Sequence, residues 1–244
     1  MTCRVKVCGL RRPGDAEAAV VAGAHYLGMV FAPSPRRVTE EEAREVCRIA
    51  TASQPVAVFV DESPQEILRL KDRIGFTTAQ LHGSESPSDC ELLREGGLRV
   101  WKALRPRSRT DLVRLWKHWE SETEVVLVDA WSPAARGGTG TTFPHGWLSD
   151  LRMTPPNGGQ GHPSRPAGEP TDPGRKASLA LAGGLTPDNV AAAIKTGNPA
   201  IVDVSSGVEV APGVKDPSLI MAFVQAVGAI GPAGAPGTVG AVEK

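Results

Sequence analysis

Eight short runs rich in aliphatic and β-branched residues, separated by helical patterns, constrain the fold of this chain more than any other feature. They are Arg4–Cys8, Tyr26–Phe31, Val56–Val60, Thr78–His82, Arg99–Ala103, Val125–Val128, Ser178–Ala182 and Ala200–Val204. Their lengths suit strands, and the intervening segments carry helix-start signals. Thr39-x-x-Glu42 and Ser63-x-x-Glu66 read as capping boxes, and Pro187 and Pro217 follow the N-cap residues Thr186 and Asp216. Asp216–Val227 supplies an eighth helix. Parallel neighbours need a crossover connection, so a strand followed by a helix eight times over implies an all-parallel sheet. Eight units in 244 residues favour an α/β fold closed as a (β/α)8 TIM barrel. An open doubly wound sheet is the alternative, since periodicity does not show closure. The absence of GxGxxG after the first strand weakens it.

Composition excludes several classes of function. The 27 basic and 27 acidic side chains cancel, leaving none of the basic excess that nucleic-acid binding requires. No apolar run approaches the roughly 18 residues of a membrane-spanning helix. The first ten residues, MTCRVKVCGL, lack the apolar stretch of a secretory signal. The expectation is a cytoplasmic protein without nucleic-acid or membrane partners. Cys3, Cys8, Cys47 and Cys90 show no paired spacing, and the five histidines form no cluster, so thiols and no metal are expected. The excess of 27 glycines and 21 prolines collects mainly in Pro155–Lys176 and in the tail from Gly231. Neither stretch has apolar surface enough to offset its own ordering entropy. The organisation expected is one catalytic barrel over residues 1–230, a flexible insertion at 153–177 between the sixth helix and seventh strand, and a disordered tail at 231–244.

Barrels of this kind carry their chemistry at the C-terminal ends of the strands. That rule selects Cys8, Arg36, Asp61, His82, Lys102, Asp129, Asp203 and the glycine-rich turns. Gly137-Gly138-Thr139-Gly140, Gly183-Gly184 and Ser205-Ser206-Gly207 follow strands six, seven and eight. Such turns expose backbone N–H groups to an anion, and three at this corner favour a phosphate. Cys8 ends the first strand and shares a face with Lys6. Asp129 ends the apolar run Val125–Val128, where an unpaired carboxylate is costly to bury unless it caps a turn or faces a ligand. A thiol and a carboxylate so placed could act as an acid–base pair across the barrel mouth.

Several blocks of the sequence, in order, resemble the phosphoribosylanthranilate isomerase family. They are Lys6-Val7-Cys8-Gly9-Leu10, Gly28-Met29-Val30-Phe31 with Ser34-Pro35-Arg36, Gln80-Leu81-His82-Gly83, Asp129 and Gly137–Gly140 with Phe143. Leu181–Leu185, Val202–Glu209 and Gly213–Asp216 complete the set. The resemblance implies an Amadori rearrangement of N-(5-phosphoribosyl)anthranilate in tryptophan biosynthesis, with Cys8 as general base, Asp129 as general acid and no cofactor. It places Arg36 on the anthranilate carboxylate and Gly183, Gly184, Ser205 and Ser206 on the phosphate. Gln80, His82 and Asp203 join the substrate-binding set, His82 touching substrate or supporting its loop. The partner implied is a small phosphosugar, and the assembly a monomer or weak homodimer. Two features depart from the family: Asp61 stands where asparagine is expected, and the insertion is longer than the usual connection. An isomerase of the analogous histidine-pathway aminoaldose is the nearer rival. It generally uses two aspartates, so Cys8 speaks against it. A catalytically silent phosphate-binding barrel is the other rival, and it has no need of both Cys8 and Asp129. These roles require the Cys8 thiol to titrate below its usual range.

Overall fold

The computed structural model describes residues 3–130, 143–151 and 176–230. Eight parallel strands close a barrel in chain order: β1 (Arg4–Cys8), β2 (Tyr26–Val30), β3 (Gln54–Phe59), β4 (Thr78–Leu81), β5 (Arg99–Leu104), β6 (Val125–Val128), β7 (Ser178–Leu181) and β8 (Ile201–Val204). Closure is made by β1 against β8, in a register that sets Lys6 opposite Asp203. The open-sheet alternative is thereby excluded.

Among the described residues seven α-helices wrap the barrel: α1 (Pro13–Ala22), α2 (Glu40–Ile49), α3 (Pro64–Ile74), α4 (Pro87–Glu95), α5 (Arg109–Trp119), α6 (Val190–Gly197) and α7 (Pro217–Gly228). Their buried faces meet the outer face of the strands in one large apolar cluster. A second, smaller cluster fills the barrel itself, from Tyr26, Val56, Trp101, Leu127, Ala180 and Ile201 among others. Tyr26 and Trp101 meet edge to face there, with ring centroids 4.9 Å apart. The interior is therefore packed, and the mouth rests on a solid floor.

Local signals hold unevenly. Thr39 and Glu42 form the full reciprocal capping box of α2. Ser63 caps α3 by accepting from the Glu66 N–H, but Glu66 does not reach back, because its carboxylate is forked by Arg69. Asp216 caps α7 through the N–H groups of Ser218 and Leu219. Helix α6 begins at Val190 instead of Pro187, since the Asn189 side-chain oxygen accepts from the Thr186 N–H and holds residues 186–189 in a turn. The helix expected after β6 is, among the described residues, a 3-10 helix at His145–Asp150. A short antiparallel pair, β9 (Glu209–Ala211) with β10 (Val214–Lys215), follows β8 and is not foreshadowed by any strand pattern in the sequence. The expected insertion lies almost wholly outside the described residues, and the tail entirely so.

Candidate active site

At the end of β1, Lys6 is fully buried and donates to both carboxylate oxygens of Asp203, at 3.0 and 3.1 Å. Cys8 lies one strand repeat further toward the mouth, 8% exposed. Burial pushes its thiol up, the Lys6 ammonium pulls it back, and the Asp203 carboxylate adds to the rise. The net direction is upward, which overturns the expectation of a depressed thiol. Desolvation of a thiolate outweighs two neighbouring cations, Lys6 and Lys215, each already neutralised by its own partner. Gly28 opposite makes room for this side chain. A Cβ on it would stand 2.8 Å from the Cys8 sulfur and 2.9 Å from its Cα.

Across the mouth, Asp129 follows β6 and is 6% exposed. Its Oδ1 accepts from the Ala130 N–H at 2.8 Å, and its Oδ2 lies 3.4 Å from His82 Nε2. No hydrogen bond forms there, and among the described residues Nε2 stands at ion-pair distance only. Gln80, one residue before the end of β4, sets its amide nitrogen 3.3 Å from His82 Nδ1. Gly183 has φ +89°, and a Cβ there would meet the Ala130 nitrogen at 2.6 Å and Asp129 Oδ1 at 3.0 Å. Close passage of the β7 turn beside the carboxylate thus demands glycine.

The Arg36 guanidinium is forked onto Glu209 at 2.8 and 2.7 Å. Lys215 donates to the same carboxylate at 2.8 Å, to the Ser205 carbonyl at 3.0 Å and to the Ser205 hydroxyl at 3.4 Å. Ser205 in turn donates to the Cys8 carbonyl at 3.1 Å. Burial would raise Glu209, but the bonds from Arg36 and Lys215 outweigh it and hold it below the usual carboxylate range. Burial lowers Lys215 despite Glu209. Glu209 and Lys215 fall within the blocks of family resemblance, but the sequence alone gives them no role. Their only signal is two opposite charges flanking a glycine turn.

A second network supports the other side. Glu85 takes the Lys102 ammonium at 2.6 Å and the N–H groups of Asp61 and Gly83 at 2.9 to 3.0 Å. Asp61 adopts φ +54° and accepts from the Ser84 N–H at 2.6 Å. A left-handed conformation suits asparagine and aspartate above other non-glycine residues, which accounts for either standing there. The network holds the turn that carries His82.

Gly183 and Gly184 have positive φ, and among the described residues nothing accepts from their N–H groups. Ser205 precedes a 3-10 helix at Ser206–Val208. Gly137–Gly140 lies outside the described residues. A surface cleft lined by Arg11, Arg37, Glu42, Phe59, Glu66 and Arg69 among others opens between α2 and α3, and none of the candidate residues lines it. Its charges pair largely with one another, as Arg69 does with Glu66 and Arg11 with Glu42. No helix among the described residues is long and apolar enough to cross a membrane.

The structure thus gathers Cys8, Asp129, Asp203, Gln80, His82, Arg36 and the β7 and β8 turns at one end of the barrel. The family profile of "N-(5'phosphoribosyl)anthranilate (PRA) isomerase" matches residues 5–226. N-(5'-phosphoribosyl)anthranilate isomerase of Rubrobacter xylanophilus is 40% identical over 225 residues, covering 91% of this chain and 98% of the relative. That of Symbiobacterium thermophilum is 44% identical over 223 residues, covering 91% and 96%. Among solved structures, phosphoribosyl anthranilate isomerase from Thermotoga maritima superposes with a TM-score of 0.76 at 32% identity, covering 93% of this chain and all of that one. A phosphoribosyl anthranilate isomerase in complex with reduced 1-(o-carboxyphenylamino)-1-deoxyribulose 5-phosphate gives 0.73 at 30% identity, covering 93% and 100%.

Proposed function

The chain belongs to the N-(5'-phosphoribosyl)anthranilate isomerase family, an isomerase family of tryptophan biosynthesis, and from that premise we propose how its residues divide the work. The reaction is the Amadori rearrangement of N-(5-phosphoribosyl)anthranilate to 1-(2-carboxyphenylamino)-1-deoxyribulose 5-phosphate. Asp129 delivers a proton to the furanose oxygen, the C1′–O bond breaks toward that oxygen, and the aniline nitrogen closes a C=N bond to C1′. Cys8, as thiolate, then removes the C2′ proton, and the enolamine tautomerises to the ketone. The observation that carries this reading is the placement of Asp203. Its two oxygens hold Lys6 at 3.0 and 3.1 Å, one strand repeat below Cys8, and its charge acts on Cys8 while those of Asp129 and His82 act on it, so acid and base share one charged floor.

The raised thiol makes the base form a minority at neutral pH. The cationic Schiff base that Asp129 creates favours ionisation of a neighbouring thiol, and Cys8 releases its own proton to solvent before taking the one from C2′. Arg36 keeps its end-on edge, Nη1 with the second Nη2 hydrogen, for the anthranilate carboxylate while Glu209 holds the side edge. The N–H groups of Gly183, Gly184, Ser205 and Ser206 receive the phosphate, and Gln80 and His82 border the ring. No metal or organic cofactor enters. The partner is this phosphosugar, in keeping with the product-like ligand of a related structure. A monomer or weak homodimer is the assembly proposed; the Thermotoga maritima relative is described as dimeric. The test is the loss of anthranilate-type substrate fluorescence on adding purified protein, compared with Cys8→Ala and Asp129→Asn. Decay no faster than spontaneous hydrolysis, or undiminished turnover in either variant, would refute the assignment.

A further inference from the structure

We propose that His82 is the positioning residue that stores the proton Asp129 delivers, the two side chains sharing one proton while Gln80 holds the imidazole in both of its charge states. This rests on Asp129 being the general acid. Two buried polar atoms without hydrogen-bond partners among the described residues point to it, His82 Nε2 and Gln80 Oε1. They sit at the two ends of one short chain. Gln80 Nε2 is 3.3 Å from His82 Nδ1, and His82 Nε2 is 3.4 Å from Asp129 Oδ2. Buried polar atoms without partners are uncommon, and each calls for an explanation. Adding a proton to the ring supplies one for both. With Nδ1 protonated, a half-turn of the Gln80 amide brings Oε1 onto Nδ1–H, and Nε2–H faces the Asp129 carboxylate. When the Nε2 proton passes to Asp129 the ring is left as the Nδ1–H tautomer, still held by Oε1, and the amide NH2 as placed serves the other neutral tautomer, in which Nδ1 is bare. One amide oxygen therefore partners the ring in both charge states that the step uses.

The chemistry gains a proton source. A carboxyl group ordinarily loses its proton well below neutrality, whereas an imidazole gains one between about pH 5 and 8. In the step proposed, a proton passes from His82 Nε2 to Asp129 Oδ2. Asp129 passes a proton to the furanose oxygen, and the electron pair of the broken C1′–O bond stays on that oxygen, which becomes a hydroxyl. Cys8 gains the C2′ proton, and solvent afterwards takes one proton from Cys8 and returns one to His82. Among the described residues, the charged groups around the pair cancel in twos. Lys6 of β1 neutralises Asp203 of β8, and Lys102 of β5 neutralises Glu85 behind Gly83. Asp61, in the turn after β3, is bound to the Ser84 N–H. Cys8 faces from β1 as a thiol. The carboxylate that His82 meets at ion-pair distance is Asp129.

The experiment is the pH profile of kcat/KM for the wild type, His82→Gln and Asp129→Asn. Because burial pushes the Cys8 thiol up, the acid ionises below the base and sets the acidic limb. In His82→Gln that limb is expected to move at least one pH unit lower, and the plateau to fall at least tenfold, since a carboxyl alone holds its proton only in more acid solution. A lower plateau with an unmoved limb would overturn the proposal and leave His82 a structural role. An Asp129→Asn enzyme with near-normal turnover would instead remove the acid itself, so the two failures are distinct. A readout that needs no activity is the NMR titration of the His82 ring. Its midpoint should fall by at least half a unit in Asp129→Asn, and an unchanged midpoint also overturns the pair. Should His82→Gln fail to fold, Gln80→Leu should shift the limb the same way by a smaller amount, and an unmoved limb there counts against the proposal.

Discussion

Replacing Gly28 with alanine tests whether the base is held by packing. The added Cβ would stand 2.8 Å from Cys8 Sγ, 2.9 Å from Cys8 Cα and 3.1 Å from its Cβ, where ordinary van der Waals separation begins near 3.4 Å. Rotating the thiol away relieves only the first of these. The clash with the Cys8 backbone sets strand against strand, in the β1–β2 register that pairs Cys8 with Gly28, so the two must separate by about 0.5 Å. Overpacking of this kind costs about 1–3 kcal/mol. In a barrel of this size that is a fall in Tm of roughly 3–10 °C. A misplacement of about 1 Å at a reacting group costs about a hundredfold, so half that displacement should lower kcat by about tenfold with little change in KM. Thermal melting and the fluorescence assay measure both. Gly14→Ala in α1 is the control, because nothing lies within 4 Å of the added methyl. A Gly28→Ala protein that melts and turns over like the control would show that Cys8 is not held as described.

Cys8→Ala and Asp129→Asn should each lower kcat by at least about a hundredfold in steady-state assays with substrate affinity changed less, as loss of a positioned acid or base does. Arg36→Lys should weaken binding of carboxylate-bearing analogues measured by calorimetry and leave analogues without the carboxylate unaffected, because lysine lacks the planar fork. Glu85→Ala strands the Lys102 ammonium in a site 3–4% exposed, and should cost about 3–5 kcal/mol in a denaturant titration. Glu209 is held below the usual carboxylate range, so its stabilisation is complete above its unfolded pKa and is lost as pH falls through its folded value. The acid side of the stability curve should therefore be flatter in Glu209→Gln than in the wild type, read by melting temperature between neutral pH and pH 3.

All eight strands were legible, because each is a local run of residues and a strand buried on both faces needs no distant partner to be recognised. Asp129 was legible for the same reason, as an acid at the end of an uninterrupted apolar run. What the sequence hid was the pairing of residues across closure. Arg36 and Glu209 lie on opposite flanks of the β1–β8 seam, and only closure brings the fork onto its carboxylate. The direction of the Cys8 shift was hidden too, because Lys6 was visible as a neighbour while Asp203, which neutralises it, belongs to the far end of the chain. The late start of α6 was a contest between two local signals. Pro187 behind Thr186 reads as a helix start, but the Asn189 side chain bonds the backbone and wins three residues later.

The two charged networks at the mouth share one physical design. In each, a buried carboxylate is surrounded by donors: Arg36 and Lys215 on Glu209, and Lys102 with two backbone N–H groups on Glu85. A buried ion pair alone repays its desolvation poorly, and additional donors are what make the arrangement tenable. In each, too, the network's far end grips a turn that carries site residues, Ser205 in one case and His82 with Gly83 in the other. The turns are thus oriented by buried groups before any substrate contact is made, which is the condition for electrostatic stabilisation without reorganisation in the transition state. It follows that the same groups bear on folding as well as turnover. The cost of a charge removed there falls on stability first, and on kcat only as far as the turn it held is released.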